Sequence, residues 1–351
     1  MTSREMIVDG RRIADDADCY VIAEIGHNHQ GELEKCKALF RAAHEAGADA
    51  VKLQKRDNRS LYTRAMYDQP YNSENAYAPT YGAHREYLEF GREEYLELQA
   101  YARELGITFF ATAFDFASAD FLAELDMPAY KIASGDLKNI PLIEYVAKLD
   151  KPMFVSTGGG DMVDVHRAHD AIMALNPQLC LMQCTAAYPA EPDQLNLRVI
   201  ETFRREFARA VIGLSAHDNG IAMPLVGCVL GARAIEKHFT LNRAWKGTDH
   251  AFSLTPDGLR RLVRDLRRTD SAMGDGIKAP LPVEKTPLMK MGKKLVAARD
   301  LPAGHTLARG DIAIKSPGDG IPPFEIASFI GRRLTRALTS DDALTRDGVA
   351  D

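Results

Sequence analysis

The feature that most constrains this chain is a rhythm. Eight short apolar runs recur at Tyr20–Gly26, Ala50–Gln54, Thr108–Thr112, Tyr130–Gly135, Met153–Gly158, Cys180–Thr185, Ile212–Asp218 and Ala234–Phe239. Longer amphipathic stretches such as Glu32–Ala46, Glu93–Leu105 and Asp164–Ala174 separate them. Short, continuously apolar runs between turn residues read as strands covered on both faces, as in a parallel sheet. Strand and helix alternating eight times over about 250 residues predict an α/β fold, a TIM (β/α)8 barrel. A doubly wound sheet is the alternative, but no Gly-x-Gly-x-x-Gly opens the first strand–helix turn. Gly158-Gly159-Gly160 reads equally as a flexible turn or as a phosphate cradle.

The rest of the chain is read around that barrel. Asp9-Gly10 between short apolar pieces predicts a hairpin ahead of it. The polar segment Arg56–Arg85, rich in Tyr and Asn, is long for a connection in a compact domain and is expected to serve as a lid or binding loop. After the helix expected at Pro256–Ala272 the texture changes to short apolar pieces broken by Gly, Pro and Asp. The expected domains are therefore a barrel over residues 1–273, a linker over 274–292 and a small mixed domain over 293–351. A formal net charge of −5 gives no reason to expect nucleic acid or an anionic membrane as partner. No run is long enough to span a membrane and Met1–Gly10 has no apolar signal core, so a cytoplasmic location is expected. The five cysteines form no Cys-x-x-Cys pair and are expected to be buried and reduced.

Catalytic groups of such barrels stand at the C-terminal ends of strands. Ser215 and His217 lie two apart on one run, and Glu236 and His238 two apart on the next, so each pair shares a face. Two imidazoles on consecutive strands make a workable site for a divalent cation; two core histidines are the bland alternative. Lys52 and Lys131 end two other strands, and a lysine buried in a strand is costly unless paired. With the hydroxyls of Thr112, Ser134, Ser156 and Ser215 they read as a bed for a polyanion. Lys52 could instead pair with Glu24 on the neighbouring strand, and Lys131 could serve a Schiff-base aldolase.

Seven segments carry a family resemblance. Glu24-Ile25-Gly26-His27-Asn28-His29-Gln30-Gly31, Val51-Lys52-Leu53-Gln54, Tyr130-Lys131-Ile132-Ala133-Ser134-Gly135, Val155-Ser156-Thr157-Gly158, Gln183-Cys184-Thr185, Ile212–His217 and Glu236–Thr240 resemble the sialic acid (N-acetylneuraminate) synthase family. The tail, at Val296–Gly304 and Ile314–Gly320, resembles the antifreeze-like SAF (β-clip) domain of these synthases. The resemblance implies condensation of phosphoenolpyruvate with an open-chain N-acetylhexosamine-type aldose, giving a nine-carbon 2-keto-3-deoxy sugar acid and phosphate. It implies that Lys52, Thr112, Lys131, Ser134, Ser156 and Ser215 hold phosphoenolpyruvate. His217 and His238 would bind Mn²⁺, or else Mg²⁺ or Co²⁺. Gln54, Asp136, Tyr188 and Asp249 would contact the sugar, and Glu24 would activate or orient water. It also implies a homodimer whose C-terminal domains are exchanged, bringing Ser316 to the partner's sugar pocket.

Three positions depart from the family pattern, Ala186 for Asn, Asp136 for the longer Glu and Ser316 for Arg, and the resemblance implies that all lie on the sugar side. Serine lacks the charge and forked donors of arginine, so an acceptor relying on that contact should bind weakly. Sister synthases for legionaminic, pseudaminic or deaminated sugar acids are therefore alternatives, as is a surface-polysaccharide branch.

Overall fold

The computed structural model describes residues 4–351, in two units that divide after residue 274. The chain opens with the expected hairpin, β1 (Glu5–Val8) and β2 (Arg11–Ala14), paired antiparallel. Asp9 and Gly10 both take positive φ, 48° and 78°. That is the two-residue turn whose twist suits a hairpin.

Eight parallel strands then close into a barrel: β3 (Tyr20–Gly26), β4 (Ala50–Lys55), β5 (Thr108–Ala113), β6 (Tyr130–Ile132), β7 (Met153–Ser156), β8 (Leu179–Cys184), β9 (Val211–Ala216) and β10 (Ala234–His238). β10 pairs with β3 to shut the seam, with His238 opposite Glu24. β6 is shorter than the sequence suggested, because Ser134–Asp136 turns into a 3₁₀ helix.

Side-chain alternation sorts each strand into two faces. Val21, Ala23, Ile25, Val51, Leu53, Phe109 and Ala111 point outward and join the helices in one large core. The inward set is layered along the barrel axis. Its lower layer is apolar: Tyr20, Ile22, Ala50, Phe110, Phe154, Cys180 and Val211 cluster with Met6, Val8 and Ile13 of the hairpin, which plugs that end. Gly213 belongs to this interior, and a Cβ there would meet the Ala234 carbonyl at 2.9 Å and Cys180 Sγ at 3.0 Å. One step up, the same period-two positions become polar, and the site begins there.

The segment 56–85 is ordered as three short helices, Asn58–Leu61, Arg64–Tyr67 and Tyr81–Tyr87, with Tyr62, Tyr71 and Tyr81 in edge-on contact. Tyr77 Oη donates to the Lys246 carbonyl at 2.7 Å, so the segment is tied to the loop after β10. All five cysteines are free and buried.

In the second unit β11 (Lys294–Ala297) pairs with β12 (Ile312–Lys315), and β13 (Arg333–Leu334) with β14 (Val349–Ala350). Leu295, Leu301, Leu307, Phe329, Leu338 and Leu344 form its small core. The stretch read as a linker contains a short helix, Lys285–Met291. Among the described residues, no helix is long and apolar enough to cross a membrane.

Candidate active site

A cavity of about 500 Å³ opens at the C-terminal ends of the barrel strands. It is lined by Glu24, Lys52, Gln54, Thr112, Lys131, Ser134, Ser156, Tyr188, Ser215, His217, His238 and Asp249, so twelve of the fourteen residues singled out from sequence converge on it. Asp136 is set back from it, one residue beyond Gly135, and accepts from Asn139 Nδ2 at 3.0 Å. Ser316 lies in the second unit, where its Oγ accepts from Lys293 Nζ at 2.6 Å.

Four buried charges form the floor. Lys52 Nζ meets Glu24 Oε2 at 2.6 Å and donates to Thr112 Oγ1 at 2.8 Å. Lys131 Nζ donates to Ser156 Oγ at 2.7 Å. Glu236 Oε1 lies between the two ammonium groups, 3.8 Å from Lys52 and 4.0 Å from Lys131, and accepts from Ser215 Oγ at 3.2 Å. The expected alternative for Lys52, an ion pair with Glu24, is thus present. The pKa shifts follow from position. Burial raises Glu24 against the pull of Lys52. Burial also acts to raise Glu236, but Lys131 and Lys52 overcome it and hold the carboxyl below its usual range. Burial lowers Lys131, opposed by Glu236. Two cations against two carboxylates leave the floor near neutrality, and a polyanion bound there could draw on both lysines.

Gly158 shows why glycine follows the fifth strand. Its N–H donates to Ser134 Oγ at 3.1 Å, and a Cβ would lie 2.7 Å from that oxygen. Here the glycine run serves to place Ser134.

The two imidazoles stand on the opposite wall, ring centroids 5.3 Å apart. His217 Nδ1 lies 2.8 Å from the Thr185 carbonyl, which accepts only, so the Nδ1–H donates and Nε2 keeps its lone pair. His238 Nδ1 is buried with no hydrogen-bond partner and lies 3.7 Å from Asp249 Oδ2. Burial drives His238 well down, so it is neutral, the form that ligates cations. Burial also opposes a charge on His217, but Cys184, 4.0 Å away, tips it upward; ligation there would displace a proton. One orphaned nitrogen and one bare Nε2 on facing rings fit a divalent cation. Tyr188 packs on His217 at 4.2 Å between centroids.

Lys237 and Asp218, each next to one of these histidines, form a buried pair behind the wall. Lys237 Nζ donates to Asp218 Oδ1 at 3.0 Å and to its carbonyl at 2.5 Å. Lys237→Met leaves Asp218 as a buried charge without a cation. We expect it to cost about 3–5 kcal/mol in urea unfolding, most of it recovered by adding Asp218→Asn. No loss in the single variant would show the pair to be dispensable.

The sequence reading passed over Arg56, Phe114, Arg85 and Thr248, which also line the cavity. Arg56 continues the inward two-residue step of Lys52 and Gln54, a signal that was available. Arg85 sits in a helix of the long segment, and no strand pattern points to it.

Comparison with known proteins agrees with this geometry. Residues 39–278 match the NeuB family and residues 294–350 the SAF domain. The N-acetylneuraminate-9-phosphate synthase of Mus musculus is 39% identical over 341 residues, 97% of this chain and 95% of that one. The N,N'-diacetyllegionaminic acid synthase of Legionella pneumophila is 35% identical over 332 residues, 93% of each chain. The crystal structure of N-acetylneuraminic acid synthetase from Leptospira borgpetersenii superposes with a TM-score of 0.72 at 30% identity, covering 81% of this chain and 95% of that one. With its closed barrel, its SAF domain and this likeness to named synthases, the chain belongs to the NeuB family of phosphoenolpyruvate-dependent condensing enzymes.

Proposed function

We propose that this chain is a nonulosonic (sialic-type) acid synthase. It joins C3 of phosphoenolpyruvate to the aldehyde carbon of an open-chain N-acetylhexosamine-type aldose, and water adds at C2. The products are a nine-carbon 2-keto-3-deoxy sugar acid and inorganic phosphate. The observation that carries this reading is the pair of buried ammonium groups, Lys52 and Lys131, at the floor of a cavity walled by two imidazoles. A synthase for legionaminic, pseudaminic or a deaminated sugar acid is the alternative within the same chemistry.

The geometry supports the following roles. Lys52, Lys131, Thr112, Ser134, Ser156 and Ser215 hold phosphoenolpyruvate, the lysines as point charges and the hydroxyls as donors that fix its orientation. A phosphate drawing on Lys52 loosens that lysine's hold on Glu24. Glu24 also accepts from Gln54 Nε2 at 2.6 Å, and so is positioned to orient the water that adds at C2. Collapse of that tetrahedral carbon breaks the C–O bond to phosphate. Gln54, Tyr188 and Asp249 contact the sugar. His217 and His238 would hold a divalent cation, Mn²⁺ by preference and Mg²⁺ or Co²⁺ as substitutes; when bound it supplies Lewis-acid polarisation of the aldehyde. The test is phosphate release from phosphoenolpyruvate across a panel of aldoses, with the nine-carbon product identified by mass. No release with any acceptor overturns the reading.

The segment 56–85 supplies part of the upper wall. Deleting residues 68–79 is expected to raise the KM for the sugar by about 100-fold through lost positioning, with a far smaller effect on the KM for phosphoenolpyruvate. Equal losses on both, with a lowered Tm, would make the segment purely structural.

A homodimer with exchanged C-terminal units belongs to the same proposal. Ile277, Val283, Leu288 and Phe324 of the second unit are exposed, Phe324 at 83%, and apolar surface of this kind is what a subunit contact covers. Sedimentation should show a particle of twice the 38.7 kDa chain mass. A monomer at assay concentration ends the exchange model.

A further inference from the structure

The end of the barrel away from the active-site cavity carries chemistry that the condensation does not use. A second cavity, also about 500 Å³, opens at the N-terminal ends of the strands, with Cys228, Arg233, Arg267 and Asp270 in its wall. Cys19 lies directly before β3, and Cys228 sits in the helix Ala222–Val229, which leads from β9 to β10. The two are 209 positions apart in sequence, yet their Sγ atoms are 3.3 Å apart. Each thiol proton has an oxygen acceptor: Cys19 Sγ donates to the Ala232 carbonyl at 3.1 Å, and Cys228 Sγ to Asp270 Oδ1 at 3.4 Å. The sulfurs can therefore face each other through lone pairs. A disulfide draws its sulfurs to about 2.05 Å, so closing this pair takes a shift of about 1 Å.

Ligand atoms of Cys19, Cys228 and Asp270 all lie within 4.8 Å of one another, a spacing that a thiophilic cation could also use. Arg233 argues against that use. Its Nη1 donates to Asp270 Oδ1 at 2.8 Å and stands 4.0 Å from Cys228 Sγ, so a guanidinium already holds the cationic place. The two thiols also differ. Cys228 lines the cavity, whereas Cys19 is fully buried behind it. The contact with Cys228, and burial, push the Cys19 thiol well above its usual range, which leaves Cys19 as the protonated partner. The contact spans the seam of the barrel, where the Tyr20 N–H donates to the Arg233 carbonyl at 2.8 Å.

We propose that Cys19 and Cys228 are a redox pair, oxidised by hydrogen peroxide to a disulfide that locks the seam of the barrel. The inference is independent of the reaction proposed for the other end. Cys228 reacts first, because it faces the cavity. Its sulfur attacks the O–O bond and becomes a sulfenic acid, and the other peroxide oxygen leaves as water with the thiol proton. The Cys19 sulfur then displaces hydroxide from the Cys228 sulfur. The S–S bond forms, and the hydroxide leaves as a second water with the Cys19 proton. The two thiols give up two electrons and the peroxide takes two. A dithiol reductant reverses the change by exchange. The bond joins the start of the first barrel strand to the crossover before the last, so the closed loop holds every strand from β3 to β9.

The test compares the full chain after a dithiol reductant and after stoichiometric hydrogen peroxide. Oxidation is expected to remove the mass of two hydrogens, and peptide mapping to find Cys19 joined to Cys228. The Tm should rise by about 5 °C or more, because the closed loop restricts the unfolded chain, and should fall back with reductant. In Cys19→Ser the reaction should stop at a Cys228 sulfenic acid that dimedone labels. In Cys228→Ser neither the cross-link nor the rise in Tm should appear. The wild-type peptide map stands even if a variant fails to fold. Three results would each overturn the pair: both thiols still open to alkylation after peroxide and unfolding, oxygen gained on Cys228 with no cross-link, or a cross-link with no gain in Tm. Zinc that binds at one equivalent and shields both thiols would also overturn it, and would assign the cluster to a cation.

Discussion

Lys131→Met is expected to abolish condensation and to lower stability for a separate reason. On the proposed reading Lys131 would supply charge-assisted hydrogen bonds to phosphoenolpyruvate. Losing two such bonds costs roughly 3–6 kcal/mol, so kcat/KM should fall about 10²- to 10⁴-fold. Among the described residues Lys131 is one of two lysines facing Glu236, and the other, Lys52, is already paired with Glu24 at 2.6 Å. Removing it leaves Glu236 under-compensated at a buried position, a loss of about 2–4 kcal/mol. Glu236→Gln added to Lys131→Met should restore much of the stability and none of the activity. A double-mutant cycle in urea, run beside the kinetic assay, separates the two effects. Wild-type kinetics in Lys131→Met would remove the lysine from the phosphate bed. The same residue distinguishes the Schiff-base alternative: borohydride with pyruvate should leave the protein mass unchanged, and a covalent adduct on Lys131 would favour the aldolase.

Chelation should have an effect of similar size. After treatment with a chelator, turnover is expected to disappear and to return with Mn²⁺, and to a lesser degree with Mg²⁺ or Co²⁺. His217→Ala and His238→Ala should each keep a normal melting transition, bind less metal by elemental analysis and lose activity by more than about 100-fold. Groups that merely orient a ligand are worth 10- to 100-fold, and a ligand should be worth more. The expectation rests on the orphaned Nδ1 of buried His238 and the free Nε2 of His217. Full activity in chelator, with both imidazoles intact, would leave the pair as core histidines.

What the sequence determined by itself was whatever depends on local period and on strand ends. Strands covered on both faces must be continuously apolar, so the eight barrel strands stood out as runs, and glycines and turn pairs marked their limits. Because inward positions recur every second residue, the last polar residues of each run had to face the mouth. That reasoning places Glu24, Lys52, Gln54, Thr112, Lys131, Ser156, Ser215, His217 and His238 around one cavity, where the structure has them. The tertiary structure decided what depends on neighbours distant in sequence. Glu236 holds the two lysines because barrel closure sets β10 two strands from β4 and directly across from β6. Arg85 enters the cavity from a helix in a segment that has no strand periodicity, and it meets Arg56 across His27 from a different element. Asp136 falls back from the cavity where β6 gives way to a 3₁₀ turn. Local pattern sets which face a residue takes; only the closure of the barrel sets which other charges it must share that face with.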